Sequence, residues 1–306
     1  MTIASKANKR WTRPAFLAWA VLSLVFLVAL AGCGPSERTF KDGLGNEFAL
    51  KGTPKRIASL SPALTETVFA LGLGDRMVGV STYCNRPAEA LEVEKIGDAY
   101  NINFEKLVAL KPDLVLVAGT KDFESQAKKD MDRLGLPVYV SGPSTVAEVL
   151  ADIENLAKVL GVEKAGKELV AKLQDQIDAA TASSSGDGAR PKVFVAIDPE
   201  LWTVGSTSFI SDVIRVAGGE NVVGDVPDQY LQISMEDLLT KDPDVILIAV
   251  PEDQAQALMN RPGWESLRAV KEGKVSFVNP DLISRPGPGV AEGIAEVAAA
   301  LAPSGK

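Results

Sequence analysis

The chain of 306 residues is long enough for two domains with separate cores, and its 46% hydrophobic and 24% charged residues are globular proportions. It has no histidine and only two cysteines, which excludes Ser-His-Asp and Cys-His catalysis, histidine-ligated zinc or haem, four-cysteine zinc sites and iron–sulfur clusters. The formal charge of -8 argues against nucleic acid as a partner.

Residues 1–13 are basic, and Ala15 to Gly32 is an uncharged apolar run. It ends at Leu30-Ala31-Gly32-Cys33, which resembles the bacterial lipoprotein cleavage box. A run of this length also suits a plain transmembrane anchor, but the box favours a signal peptide over residues 1–32 and Cys33 as a lipidated N-terminus, anchored to a membrane surface by several acyl chains. With Lys6, Lys9, Arg10 and Arg13 removed, 28 basic residues face 40 acidic ones, so charge alone does not attract the mature chain to anionic lipid. Residues 33–53 read as a tether and a small hairpin, with Asp42-Gly43 and Gly45-Asn46 at its turn.

Residues 54–160 read as a first lobe. A buried strand at 56–60 leads into a helix from Ala63 to Leu71 that stops at Gly72. A strand at 77–80 and the polar loop Ser81–Pro87 follow, then a strand at 114–118, a helix at 122–134 and a strand at 137–141. Gly72-Leu73-Gly74 follows a helix where a dinucleotide fingerprint needs a strand, so it is a cap and turn. Ser59 and Ser61 have no histidine to activate them and suit helix capping.

From Ser144 to Thr181 apolar residues recur at helical spacing, with a break at Gly161, so two helices in series are expected. Glu154 with Lys158, Glu163 with Lys167 and Glu168 with Lys172 stand in the favoured order for supporting pairs. Residues 161–189 are taken as the connecting helix and a Ser/Gly-rich linker. Residues 190–306 form a second lobe, with strands at 192–197, 245–250 and 275–278 and helices at 208–217 and 290–301.

The lobes share a repeat. Ile102-Asn103-Phe104-Glu105 through Pro112-Asp113 to Ala118 matches Ile233-Ser234-Met235-Glu236 through Pro243-Asp244 to Ala249: a Glu opening a short helix, a Pro-Asp stop and an apolar strand. Strands alternating with helices imply an α/β protein of two Rossmann-like lobes, each with a mainly parallel sheet, joined by a long α-helix. Tyr83, Tyr100, Trp202 and Tyr230 fall in loops at strand ends or before helices, where a doubly wound sheet places its ligand crevice. Drawn from both lobes, they point to a shared cleft for something large and partly apolar.

Arg56 to Glu66, Val78 to Pro87, the Phe104-Glu105 to Pro112-Asp113 block, Gly218-Gly219-Glu220-Asn221 and Ser284-Arg285-Pro286-Gly287-Pro288-Gly289 together resemble the periplasmic substrate-binding proteins of ABC importers for cobalamin and iron siderophores, and most of all the cobalamin binders. The similarity covers about residues 40–302. It implies a non-enzymatic protein without a cofactor or metal of its own. Such a protein captures a corrinoid, or alternatively a ferric siderophore or haem, and delivers it to a permease dimer with its ATPase subunits at the outer face of the plasma membrane or in the periplasm. Tyr83 matches a tyrosine lining the corrin site, Trp202 and Tyr230 match aromatic positions, and Asp281 with Arg285 match a polar pair at the cleft edge. Tyr100 lies near a tryptophan position. Tyr230 stands where a tryptophan is usual, and Arg86 brings a charge to a position that an aromatic can occupy, a guanidinium suited to a ligand carboxylate or phosphate. The resemblance gives Glu105 and Glu236 a docking role, one on each lobe facing an arginine of each permease subunit; as first-turn carboxylates they also suit their helix dipoles. The rival from another class is a metallocofactor enzyme subunit on a similar pair of lobes, against which the missing histidines and cysteines argue.

Overall fold

The computed structural model describes residues 37–119, 126–182 and 189–302. The leader, Cys33 and its tether lie outside the described residues, as do the start of the helix expected at 122 and most of the linker after Ala182. No helix among the described residues is long and apolar enough to cross a membrane.

The chain opens with the expected hairpin, β1 (Glu37–Lys41) against β2 (Glu47–Lys51), antiparallel with Phe40 opposite Phe48. Asp42 ties its turn, accepting from the backbone N–H of Leu44 and of Asn46 at 2.9 and 2.8 Å. The first lobe follows with β3 (Ile57–Ser59), α1 (Pro62–Ala70), β4 (Met77–Val80), α2 (Phe104–Ala109), β5 (Leu114–Ala118), α3 (Gln126–Arg133) and β6 (Val138–Ser141). Its four strands are parallel in the order β4-β3-β5-β6. Alternate residues of β3 and β5 go to opposite cores, Ile57, Leu114 and Leu116 to one and Ala58, Val115 and Val117 to the other, which is why both strands read as unbroken apolar runs.

Two helices then connect the lobes, α4 (Val146–Val159) and α5 (Glu163–Thr181), separated by Gly161 at φ +73°, a backbone geometry that favours glycine. Both helices carry the connection. On α4, Val146, Val149 and Ile153 pack into the second lobe while Leu156, Ala157 and Val159 pack into the first. On α5, Leu173 and Ile177 serve the second lobe and Leu169 touches both cores. The ion pairs read from sequence are not the ones formed: among the described residues the pair on α5 is Lys164 with Glu168, at 3.6 Å, a register that competes for the same Glu168.

The second lobe contains β7 (Lys192–Ala196), β8 (Trp202–Val204), α6 (Phe209–Val216), β9 (Glu220–Asn221), β10 (Tyr230–Gln232), α7 (Met235–Lys241), β11 (Val245–Ile248), α8 (Glu252–Met259), α9 (Arg268–Lys271), β12 (Val275–Phe277), α10 (Pro280–Ser284) and α11 (Val290–Leu301). Its parallel sheet runs β12-β11-β7-β9. With the small antiparallel pair β8–β10 set aside, both lobes order their strands second, first, third, fourth. The sequence repeat is thus a repeat of topology.

Candidate functional site: an interlobe cleft

Trp202 and Tyr230 do not sit in loops, as their sequence context suggested. They belong to the ladder of β8 and β10, where Trp202 faces Gln232 and Tyr230 faces Val204. Thr203 between them is fully buried, so the pleat turns Trp202 outward and leaves it 42% exposed. The first lobe holds its aromatics by side-chain turns. Ser81 accepts from the N–H of Tyr83 at 3.2 Å, and Asp98 accepts from the N–H groups of Tyr100 and Asn101, both at 2.8 Å. Those two N–H groups hold the Asp98 carboxyl below its usual range. Tyr83 is 64% and Tyr100 93% exposed. Burial raises the Tyr230 hydroxyl's pKa, and Tyr100 of the opposite lobe adds to that rise. A cavity of about 1010 Å³ opens beside Tyr230, lined on the first-lobe side by Asp42, Asp152 and Asn155 and on the other by Thr207 and Phe209.

Of the expected ligand-binding residues only Tyr230 lines this cavity, while Asp281 and Arg285, the latter flanked by its lining residues Ser284 and Pro286, belong to a wider network than the sequence indicated. Arg285 forms an ion pair through Nη2 with Asp281 at 2.7 Å and uses Nη1 to cross the lobe boundary, donating to Glu66 at 3.0 Å and to Asn85 at 2.8 Å. Asn85 donates back to Asp281 at 3.4 Å. Arg86, expected to be available to a ligand anion, is instead paired with Glu292 at 3.1 Å. Burial pushes the Glu66 carboxyl up, although the hydrogen bond and charge of Arg285 pull the other way. Glu66, Asn85 and Glu292 were not singled out from sequence. Glu66 had a signal, as the lone charge in the otherwise uncharged α1.

Glu105 and Glu236 open α2 and α7. Asn103 caps the first helix by accepting from Lys106 N–H at 2.9 Å, and Ser234 caps the second by accepting from Asp237 N–H at 3.0 Å. Residue by residue from Ile102 to Val117 and from Ile233 to Ile248, the two segments have the same succession of exposed and buried side chains, with Leu107 and Leu238 fully buried and both glutamates exposed. Neither glutamate forms an ion pair among the described residues. A crossover helix runs back along its sheet, so its first turn lies at the carboxyl ends of the strands, the side of the cleft. No group of three or more potential metal-binding side chains occurs among the described residues.

Two parallel-sheet lobes on a helical connection, each with exposed aromatics and bridged by a polar network, define a two-lobed solute-binding protein. The chain belongs to the periplasmic binding protein family, whose model matches residues 57–282. It is 34% identical over 306 residues to the uncharacterized ABC transporter substrate-binding lipoprotein YvrC of Bacillus subtilis, covering 93% of this chain and 96% of that one. It is 30% identical over 248 residues to a vitamin B12-binding protein of Vibrio cholerae, covering 79% and 87%. The crystal structure of the periplasmic vitamin B12-binding protein BtuF of Vibrio cholerae is similar with a TM-score of 0.71 and 28% identity, over 81% of this chain and 96% of that one. The family and these relatives are binding proteins, not enzymes.

Proposed function

We propose that this protein is the substrate-binding lipoprotein of an ABC importer, that its ligand is a corrinoid, and that it delivers that ligand to a permease dimer with its ATPase subunits. The observation that carries the ligand assignment is that Tyr83 and Tyr100 of the first lobe and Trp202 and Tyr230 of the second are all exposed, with Tyr230 lining the interlobe cavity. Aromatic faces on both sides suit a broad, partly apolar macrocycle, while Asp281 and Arg285 address its polar edge. The relatives named as vitamin B12-binding proteins support the same choice. Cys33 would carry the lipid that holds the protein at the cell envelope, and Glu105 and Glu236 would meet the two permease subunits, since their like placement on two like lobes suits a partner with two-fold symmetry. Calorimetry against cyanocobalamin, ferric hydroxamates and haem tests the ligand. Tight binding of the corrinoid alone is expected; a siderophore or haem bound in its place overturns the assignment while leaving the importer class intact.

A further inference from the structure

We propose that Glu66 and Glu292 are specificity-determining residues of the cleft: by pairing across the lobe boundary with Arg285 and Arg86, they cancel the cations an anionic ligand needs and bias the site toward ligands with an uncharged rim. This rests on reading the cleft as the ligand site. The two pairs have opposite polarity. In one, the first lobe supplies the acid and the second the base; in the other, the first lobe supplies Arg86 and the second Glu292. With Asp281, three carboxylates face two guanidiniums, so the edge as a whole is not cationic.

Arg285 is also held in place. Its side chain is 15% exposed, and its two terminal nitrogens already serve Glu66, Asn85 and Asp281. The backbone behind it is pressed onto α1: a Cβ on Gly287 would come within 3.0 Å of the Ala63 carbonyl oxygen and 3.2 Å of its Cα. A ligand carboxylate that drew Arg285 away would leave Glu66, which is 8% exposed, as a buried charge without its partner, an arrangement proteins avoid. Because burial already disfavours the Glu66 charge, Glu66→Gln is expected to fold.

The test keeps ligand shape and changes charge. Cyanocobalamin is compared by calorimetry with its monocarboxylic acid, in which one peripheral amide is hydrolysed, and haemin is compared with its dimethyl ester. In the wild type the more anionic member of each pair is expected to bind more weakly. Glu66→Gln and Glu292→Gln should each raise the affinity ratio of acid to parent about tenfold at low salt, the scale of one unit charge near a protein surface, and added salt should shrink the change. Glu66→Asp, which keeps the charge, should leave the ratio at the wild-type value. An unchanged ratio in both Gln variants, or an equal rise in Glu66→Asp, overturns the proposal. If Glu66→Gln does not fold, Glu292→Gln decides, its side chain being 62% exposed. If the wild type binds no corrinoid, the function proposed above fails and the haemin pair still decides this one.

Discussion

The two lobes are alike at the closed ends of their sheets and in the capped first turns of α2 and α7, and they differ in how they mount their exposed aromatics. At the closed end Asp113 accepts from the N–H groups of Lys55 and Arg56 at 2.8 and 2.9 Å, and Asp244 accepts from that of Lys192 at 2.8 Å, each tying the third strand's start to the first strand's. The residue before each Pro-Asp, Lys111 and Asp242, takes the left-handed conformation, at φ +47° and +44°. Yet Arg56 caps the carbonyls of Leu110 and Lys111, whereas Arg268 pairs with the carboxylates of Asp242 and Asp244. At the cleft the second lobe mounts Trp202 and Tyr230 on a β-ladder, and the first lobe mounts Tyr83 and Tyr100 on loops tied by single side chains. Both sheets close in the same way, while the ladder of the second lobe is expected to make the stiffer wall and the loops of the first lobe the more adaptable one.

The largest effect expected from this comparison comes from the feature both lobes share. Glu105→Ala with Glu236→Ala should abolish transport and weaken association with the membrane complex, while calorimetry and thermal melting stay near wild type, because both side chains are exposed. Loss of ligand binding or of stability, with transport matching the remaining occupancy, would make the glutamates structural. A smaller effect separates the walls. Trp202→Ala should weaken corrinoid binding about tenfold, more than Tyr83→Ala, since an aromatic held by a ladder needs less ordering on contact. A greater loss for Tyr83→Ala would reverse the assignment of stiff and adaptable walls.

The smallest expected effect is a difference in acid response. Burial alone would raise the Asp244 carboxyl, but the Lys192 N–H and the Arg268 guanidinium outweigh it and hold the pKa below 3.8. A lowered folded pKa adds stability that is present above 3.8 and lost as pH falls through the folded value. Asp244→Asn should therefore be less stable than wild type at neutral pH, with the gap in urea midpoint closing in strong acid. A gap that persists there would show that the loss is geometric and not electrostatic.

The repeat was legible because a Glu, a Pro-Asp stop and an apolar strand recur at fixed spacing in both lobes, and each of those residues has the same local job twice. The β8–β10 ladder was not legible: each strand has three residues, too short for a period of two to register, and Trp202 finds Gln232 only after an intervening helix and strand. The cleft edge was half legible. Asp281 and Arg285 are one helical turn apart, but Glu66 lies 219 positions from the arginine it holds, a distance no local pattern spans. The helix ion pairs failed for a different reason: several lysines lie within reach of Glu168, and spacing does not rank them.

The sharing of α4 and α5 between two cores also bears on how this chain is made. Leu156, Ala157, Val159 and Leu160 complete the first lobe's interior, so a chain emerging amino end first leaves that lobe unfinished until the connecting helices have arrived. The second lobe in turn closes over Val146, Val149 and Ile153, side chains already in place when its own strands appear. α11, packed on α5, is the last element of the chain to join this shared interior. A fragment cut between the lobes is expected to carry an open apolar face, and the intact chain to unfold as a unit larger than either lobe.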